Sequence, residues 1–201
     1  MTATIPETGL AAHLDPARKH DFVFHFDVRD GNPNGDPDAG GMPRTDPETQ
    51  QGLVTDVAIK RKIRNMVTLL GEGKPGYDIY VEAGVALNAQ HKRAYATLGL
   101  KESEGKSKPS PADQASAPRW MCETFYDGRM FGAVMSTGTA PCGRVQGPLQ
   151  VTFSRSVSPV LSQEHGITRV TQTREDDIAK GETTEMGAKH AIPYGDRKSV
   201  V

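Results

Sequence analysis

Apolar and polar side chains alternate at the start of the chain's ordered pattern. Phe22, Phe24 and Phe26 fall on one side and Val23, His25 and Asp27 on the other. A period of two predicts a strand over 21–28 with one aromatic face. The residues that follow, Arg29 to Arg44, are nearly all turn formers, with Asn32-Pro33-Asn34-Gly35-Asp36-Pro37 at their centre. They predict a long structured loop, and loops of this length inside a domain usually carry function. Between Leu53 and Leu70 the period changes. Ile59, Ile63, Met66 and Leu70 recur at helical spacing and make one apolar stripe, with Thr55 as N-cap, Asp56 in the first turn and Gly71 as the stop. Lys60, Arg61, Arg64 and Asn65 fall on the side away from that stripe.

Later segments are less regular. Tyr77 to Val81 predicts a short strand after a glycine-rich turn, and Leu87 to Leu98 a second helix. Residues 99–119 are rich in Lys, Glu, Ser and Pro without periodicity, which predicts an exposed insertion. Order resumes at Trp120, and the partial alternation from Val145 to Val157 predicts another strand. From His165 to Tyr194, threonine-rich runs flank Asp176, Asp177 and Gly181, the pattern of a projecting β-hairpin with a polar tip.

Composition narrows the class. The 201 residues carry 24 Lys and Arg against 25 Asp and Glu, a net charge of −1, so a globally basic nucleic-acid binder is excluded while a local basic face is not. Glycine and proline, 21 and 14 residues, exceed the usual background and favour long loops over a helical bundle. No apolar run is long enough to span a bilayer, and no apolar segment in the first twenty residues reads as a secretory signal. Two cysteines, Cys122 and Cys142, neither build a disulfide framework nor match zinc spacing. The expectation is a cytoplasmic, loop-rich domain.

Few motifs carry chemistry. Asp30-Gly31-Asn32-Pro33-Asn34-Gly35 resembles the first half of an EF-hand calcium loop, but its twelfth position is Gly41 rather than a bidentate Glu and a strand precedes it. An Asx-stabilised loop is the simpler reading. Clustered carboxylates among Asp27, Asp30, Asp36 and Asp38 raise the alternative of a magnesium-dependent nuclease. Gly71-Glu72-Gly73-Lys74 lacks Walker A spacing, no Gly-x-Ser-x-Gly elbow is present, and the six histidines do not cluster at metal spacing. The cations on the helix suit a phosphate backbone, and the amides of the adjacent Gly/Asn loop could add to them. A solvated helix face is the alternative.

These residues are also recognisable as a set. Asn32-Pro33-Asn34-Gly35-Asp36-Pro37-Asp38, Pro43-Arg44 and the run Gly52 to Arg64 resemble the CRISPR-associated Cas-seven family, its type I-C (Csd-two) subgroup most of all. Phe125 to Arg129, Phe131 to Met135, Gly143 to Pro148 and Met186 to His190 extend the resemblance over roughly residues 20–195. It implies an α+β, RRM-like (ferredoxin-like) core of β1α1β2β3α2β4 order with a large insertion and a thumb hairpin. It also implies a non-catalytic Cascade backbone subunit, without cofactor or metal, that polymerises with copies of itself along a CRISPR RNA. Partners would be other Cascade subunits and, through guide pairing, target DNA; no membrane is implied. RNA contacts are expected at Asn32, Asn34, Arg44, Lys60, Arg61, Arg64, Arg129, Arg144, Met186 and Lys189. A metal-dependent ribonuclease using Asp30, Asp36 and Asp38 is the alternative, because some type III relatives carry a catalytic Asp in this loop.

The expected organisation is a loose tail over 1–20, a palm core over 21–160 with an insertion over about 82–119, and a thumb over 161–195. Members of the subgroup continue past Ile192-Pro193-Tyr194-Gly195 with a second core helix and a last strand. Here Asp196 to Val201 reads as the translation of a common sequencing-adapter start, so residues 196–201 are expected to be a non-native tail and the chain a truncated fragment.

Overall fold

The aromatic strand is present as β1, Val23–Gly31. It belongs to a computed structural model describing residue 15 and residues 17–102, 111–181 and 183–200, the side chains at 111–114 and 197–200 excepted. The tail over 1–14, residue 16, residues 103–110, Glu182 and Val201 lie outside the described residues. Two short strands, β2 (Gly35–Asp36) and β3 (Met42–Pro43), pair across the turn-rich loop, and β4 (Gln51–Val54) leads into helix α1 (Asp56–Gly71). Thr55 caps α1 as the sequence predicts, its Oγ1 accepting from the Ala58 amide. Gly71 differs from its expected role. It is the last helical residue, and a Cβ there would lie 2.6 Å from the Tyr77 Cβ, so close approach demands the glycine and Gly73 takes the positive φ of 71°.

Helices α2 (Leu87–Leu98), α3 (Pro111–Thr124) and α4 (Tyr126–Phe131) follow. The segment expected as an exposed insertion therefore contains α2 and much of α3. Ala94 and Tyr95 of α2 meet Ala117 and Met121 of α3, and Phe125, at i, i+4 and i+8 from Ala117, completes the buried cluster. Proline and serine over 107–118 hid that period. The strand expected over 77–81 reduces to one bridge, Asp78 to Phe125. The Asp127 carboxylate takes the amides of Tyr80 and Val81, so no neighbouring strand is needed to satisfy them.

The expected strand over 145–157 is two strands: β6 (Gly143–Val145), which pairs with β5 (Ala133–Met135), and β7 (Ser154–Pro159). β8 (Gln163–Arg169), a short helix α5 (Glu175–Ala179) and β9 (Glu185–Val200) form the predicted hairpin, with α5 at its tip. β9 then runs into the main antiparallel sheet, whose order is β1-β9-β7-β4. Residues 196–200 continue this strand opposite β1, so the boundary expected at 196 coincides with no break in the element. The α+β class stands as mixed helices and antiparallel strands.

The sheet face nearest α1 is open. Phe22, Phe24 and Phe26 look across a groove of about 650 Å³ at Ile59, Ile63 and Met66, and among the described residues no strand pairs with the outer edge of β1. The helical stripe read from the sequence is thus half-used: Ile59 is buried, while Met66 and Leu70 remain exposed. Among the described residues, no helix is long and apolar enough to cross a membrane.

Candidate nucleic-acid interface

The loop between β1 and β4 is held by its own side chains. Asn34 Oδ1 accepts from both the amide and the hydroxyl of Thr55, each at 2.9 Å, which ties the loop to the α1 N-cap. The Arg44 amide donates to the Asn34 carbonyl, and Arg44 Nη1 lies 3.3 Å from Asp36 Oδ2. Asp36 also caps the 3₁₀ turn Pro37–Ala39 by accepting from the Asp38 amide, while Asn32 Nδ2 donates to the Gly41 carbonyl at 2.7 Å. Asn34, Asp36 and Arg44 shape this loop. Asn32, though also bonded, is exposed on it.

The free cationic face expected on α1 is absent. Lys60 Nζ is 2.8 Å from Asp56 Oδ2, Arg61 donates to the Val81 carbonyl at 2.7 Å, and Arg64 Nε is 2.7 Å from Asp127 Oδ2. Lys60 and Arg64 also lie over the Phe131 ring. Their side chains are only 17% and 12% exposed. The reason is packing: α1 turns this side toward α4 and residues 80–81, where the buried carboxylate of Asp127 needs a counter-charge. Asp127, 1% exposed, is the residue that sequence reading missed. Its signal was an acidic residue inside Phe125-Tyr126-Asp127-Gly128-Arg129. Arg129 is structural too, donating to the carbonyls of Cys122 and Gly76 and lying over Tyr126.

The remaining candidates are displayed outward. Arg144, on β6, is exposed. On the hairpin, cross-strand pairing sets Met186 opposite Thr168 and Lys189 opposite His165. Three residues apart on one strand, Met186 and Lys189 point to opposite faces of the ribbon. Met186 is 81% exposed near the tip, and Lys189 lies toward the root. The structure therefore does not gather the ten expected contacts into one patch.

Where the hairpin leaves the sheet, the end of β1 and both hairpin strands enclose a pocket of about 280 Å³. Asp30, Gln163, His165 and Lys189 supply its polar groups, and Ala191, Ile192 and Pro193 its apolar wall. The carboxylates proposed for a nuclease do not assemble: Asp36 is spent on its cap and ion pair, and no three His, Cys, Asp or Glu residues come together to hold a metal among the described residues. The Asn34 side-chain oxygen that a calcium loop would use is taken by the amide and hydroxyl of Thr55.

Comparison with known proteins places this geometry. Residues 18–196 match the family described as CRISPR-associated protein Cas7. A curated relative, CRISPR-associated protein Cas7 of Haloferax volcanii, is 29% identical over 184 residues, covering 81% of this chain and 51% of the relative. The chain thus spans about half the length of that relative. A chain of a solved CRISPR RNA-guided surveillance complex, in a pre-nicking state, superposes with a TM-score of 0.47 and 18% identity over 90% of this chain and 60% of the other. The family match takes in the loop, α1, the buried Asp127 and the hairpin alike, and the chain belongs to the CRISPR-associated protein Cas7 family.

Proposed function

We propose that the chain is the guide-RNA-binding part of a non-catalytic backbone subunit of a type I-C Cascade complex. Copies stack along one CRISPR RNA, join other Cascade subunits, and present the guide for pairing with invading DNA. The observation that carries this reading is the family match across residues 18–196. The interface supports it. The hairpin projects from the sheet with every β8 residue exposed, and a ribbon with no buried face is only marginally stable by itself.

Guide phosphates are met by Lys189 and Arg144, with the exposed Asn32 amide adding a donor. Asn34, Arg44, Lys60, Arg61, Arg64 and Arg129 hold the elements that carry those contacts, because each already has an internal partner. Met186 serves as an apolar wedge on the other face of the hairpin. The core is RRM-like, and in the whole protein a further strand pairs with the open edge of β1 while a helix covers the groove beside α1.

RNA binding by the full-length protein at several salt concentrations tests the assignment. Each phosphate-contacting cation removed flattens the salt dependence by nearly one unit of slope. Lys189→Ala and Arg144→Ala should each do so and weaken all RNA sequences alike. Unchanged affinity and slope in both variants would reject these contacts.

A further inference from the structure

The described residues pack as two lobes. One is the main sheet, with β9 running through it into the hairpin and α1 lining its groove. The other has a core of its own, with Tyr95 of α2, Met121 of α3, Phe125, Met135 and Cys142 at its centre, and every buried member lies within residues 80–142. Arg144, on β6 next to that core, belongs to the helical lobe, whereas Lys189, on β9, belongs to the sheet lobe. The chain crosses between the lobes after α1 and again after β6. The second crossing is pinned by backbone. A Cβ at Gly147 would overlap the backbone of Met130 to Gly132, and the Leu149 amide donates to the Met130 carbonyl at 3.1 Å. The first crossing is pinned by charge. Arg61 of α1 donates to the Val81 carbonyl, and the Asp127 carboxylate of α4 takes Arg64 of α1 together with the amides of Tyr80 and Val81. For stability alone an apolar contact would serve this joint as well, since a buried ion pair gains little over packed apolar side chains. What the pair adds is direction, because a guanidinium meets a carboxylate oxygen over a narrow range of angles.

We propose that Arg64 and Asp127 are positioning residues for the guide: they set how the helical lobe sits on α1, and thereby the spacing between Arg144 and Lys189. The inference rests on the guide-binding reading above, in which those two cations meet phosphates. Neither member of the pair reaches the RNA, since their side chains are 12% and 1% exposed. With the spacing fixed, engaging one phosphate delivers the second cation to its own. With the joint loose, the second contact must be made against the freedom of a mobile lobe, and it is lost for part of the time.

Binding of the full-length protein to one RNA strand at several salt concentrations tests this, with melting curves to show that each variant is folded. Asp127→Asn removes a negative charge, which by charge alone should tighten the complex. The positioning role predicts the reverse: weaker binding and a salt dependence flattened by up to about one unit of slope, as though Arg144 were gone. Adding Arg144→Ala to Asp127→Asn should then flatten it little further. Two more variants guard against loss of the fold. Arg64→Met combined with Asp127→Asn strands no charge, and should show the same flattened slope. Arg64→Lys keeps the counter-charge but replaces the planar donor with a point charge, and should flatten the slope part of the way. Two outcomes overturn the proposal. One is the wild-type slope and affinity per folded molecule in these variants, which would make the pair a prop of the fold alone. The other is tighter binding in Asp127→Asn, which would make Arg64, once released, a phosphate contact itself. If Arg144→Ala and Lys189→Ala change nothing in the otherwise wild-type protein, the phosphate contacts fail first, and this inference with them.

Discussion

Asp127 connects three parts of the molecule through two oxygens. One takes the Tyr80 amide at 2.7 Å, and the other takes Arg64 Nε at 2.7 Å and the Val81 amide at 3.1 Å. Removing one member of so buried an ion pair strands the other without a counter-charge, a loss of about 3–5 kcal/mol. Arg64→Ala and Asp127→Ala should each lower the melting temperature, and the double variant should lose less than the sum of the two. Strict additivity in that cycle would show that the pair is not coupled. His91 makes a second residue-scale case. It is buried against Tyr80, with Nε2 2.8 Å from the Tyr80 hydroxyl and the rings stacked. Burial pushes its pKa below the ordinary 6.5, against a smaller opposing pull from the backbone of Thr137. The unfolded chain therefore binds the proton first as pH falls, and stability present above about pH 6.5 is lost below it. Melting curves from about pH 7.5 to about pH 5 should show this decline in the wild type and a shallower one in His91→Gln. Equal slopes would place the pH dependence elsewhere.

At the scale of elements, periodicity and caps were legible where contacts are local. The Phe22-Phe24-Phe26 alternation, the Thr55 cap and the hairpin about Asp176 each appear where the sequence puts them. What escaped was set by partners far along the chain. Nothing near Lys60, Arg61 or Arg64 announces that Val81 and Asp127 will claim two of them, so a helix face that looked free for phosphate is mostly spent. Likewise, Asp127 satisfies the amides that a strand over 77–81 would have used. The hairpin adds a lesson in parity, since Met186 and Lys189 look like neighbours in sequence yet serve opposite faces. Base-reactivity probing of the assembled complex can separate them. Met186→Asp should disturb the periodic reactivity pattern without changing the salt slope, whereas an unaltered pattern would count against the wedge.

For the whole molecule, the open groove between β1 and α1 is the dominant feature. Phe22, Phe24 and Met66 line it and are exposed, an apolar groove of a kind that isolated soluble domains seldom show. Residues 1–201 expressed alone should bind a hydrophobic dye and aggregate. A dye-silent, monodisperse 201-residue product with a cooperative transition would mean that the groove is closed by the chain itself. The guide-binding account has a more direct test. Full-length protein purified from cells that also express a CRISPR array should carry bound RNA of one uniform length, resistant to nuclease and intact in the presence of magnesium. Protein that elutes free of nucleic acid, or with RNA of random length, would contradict the account.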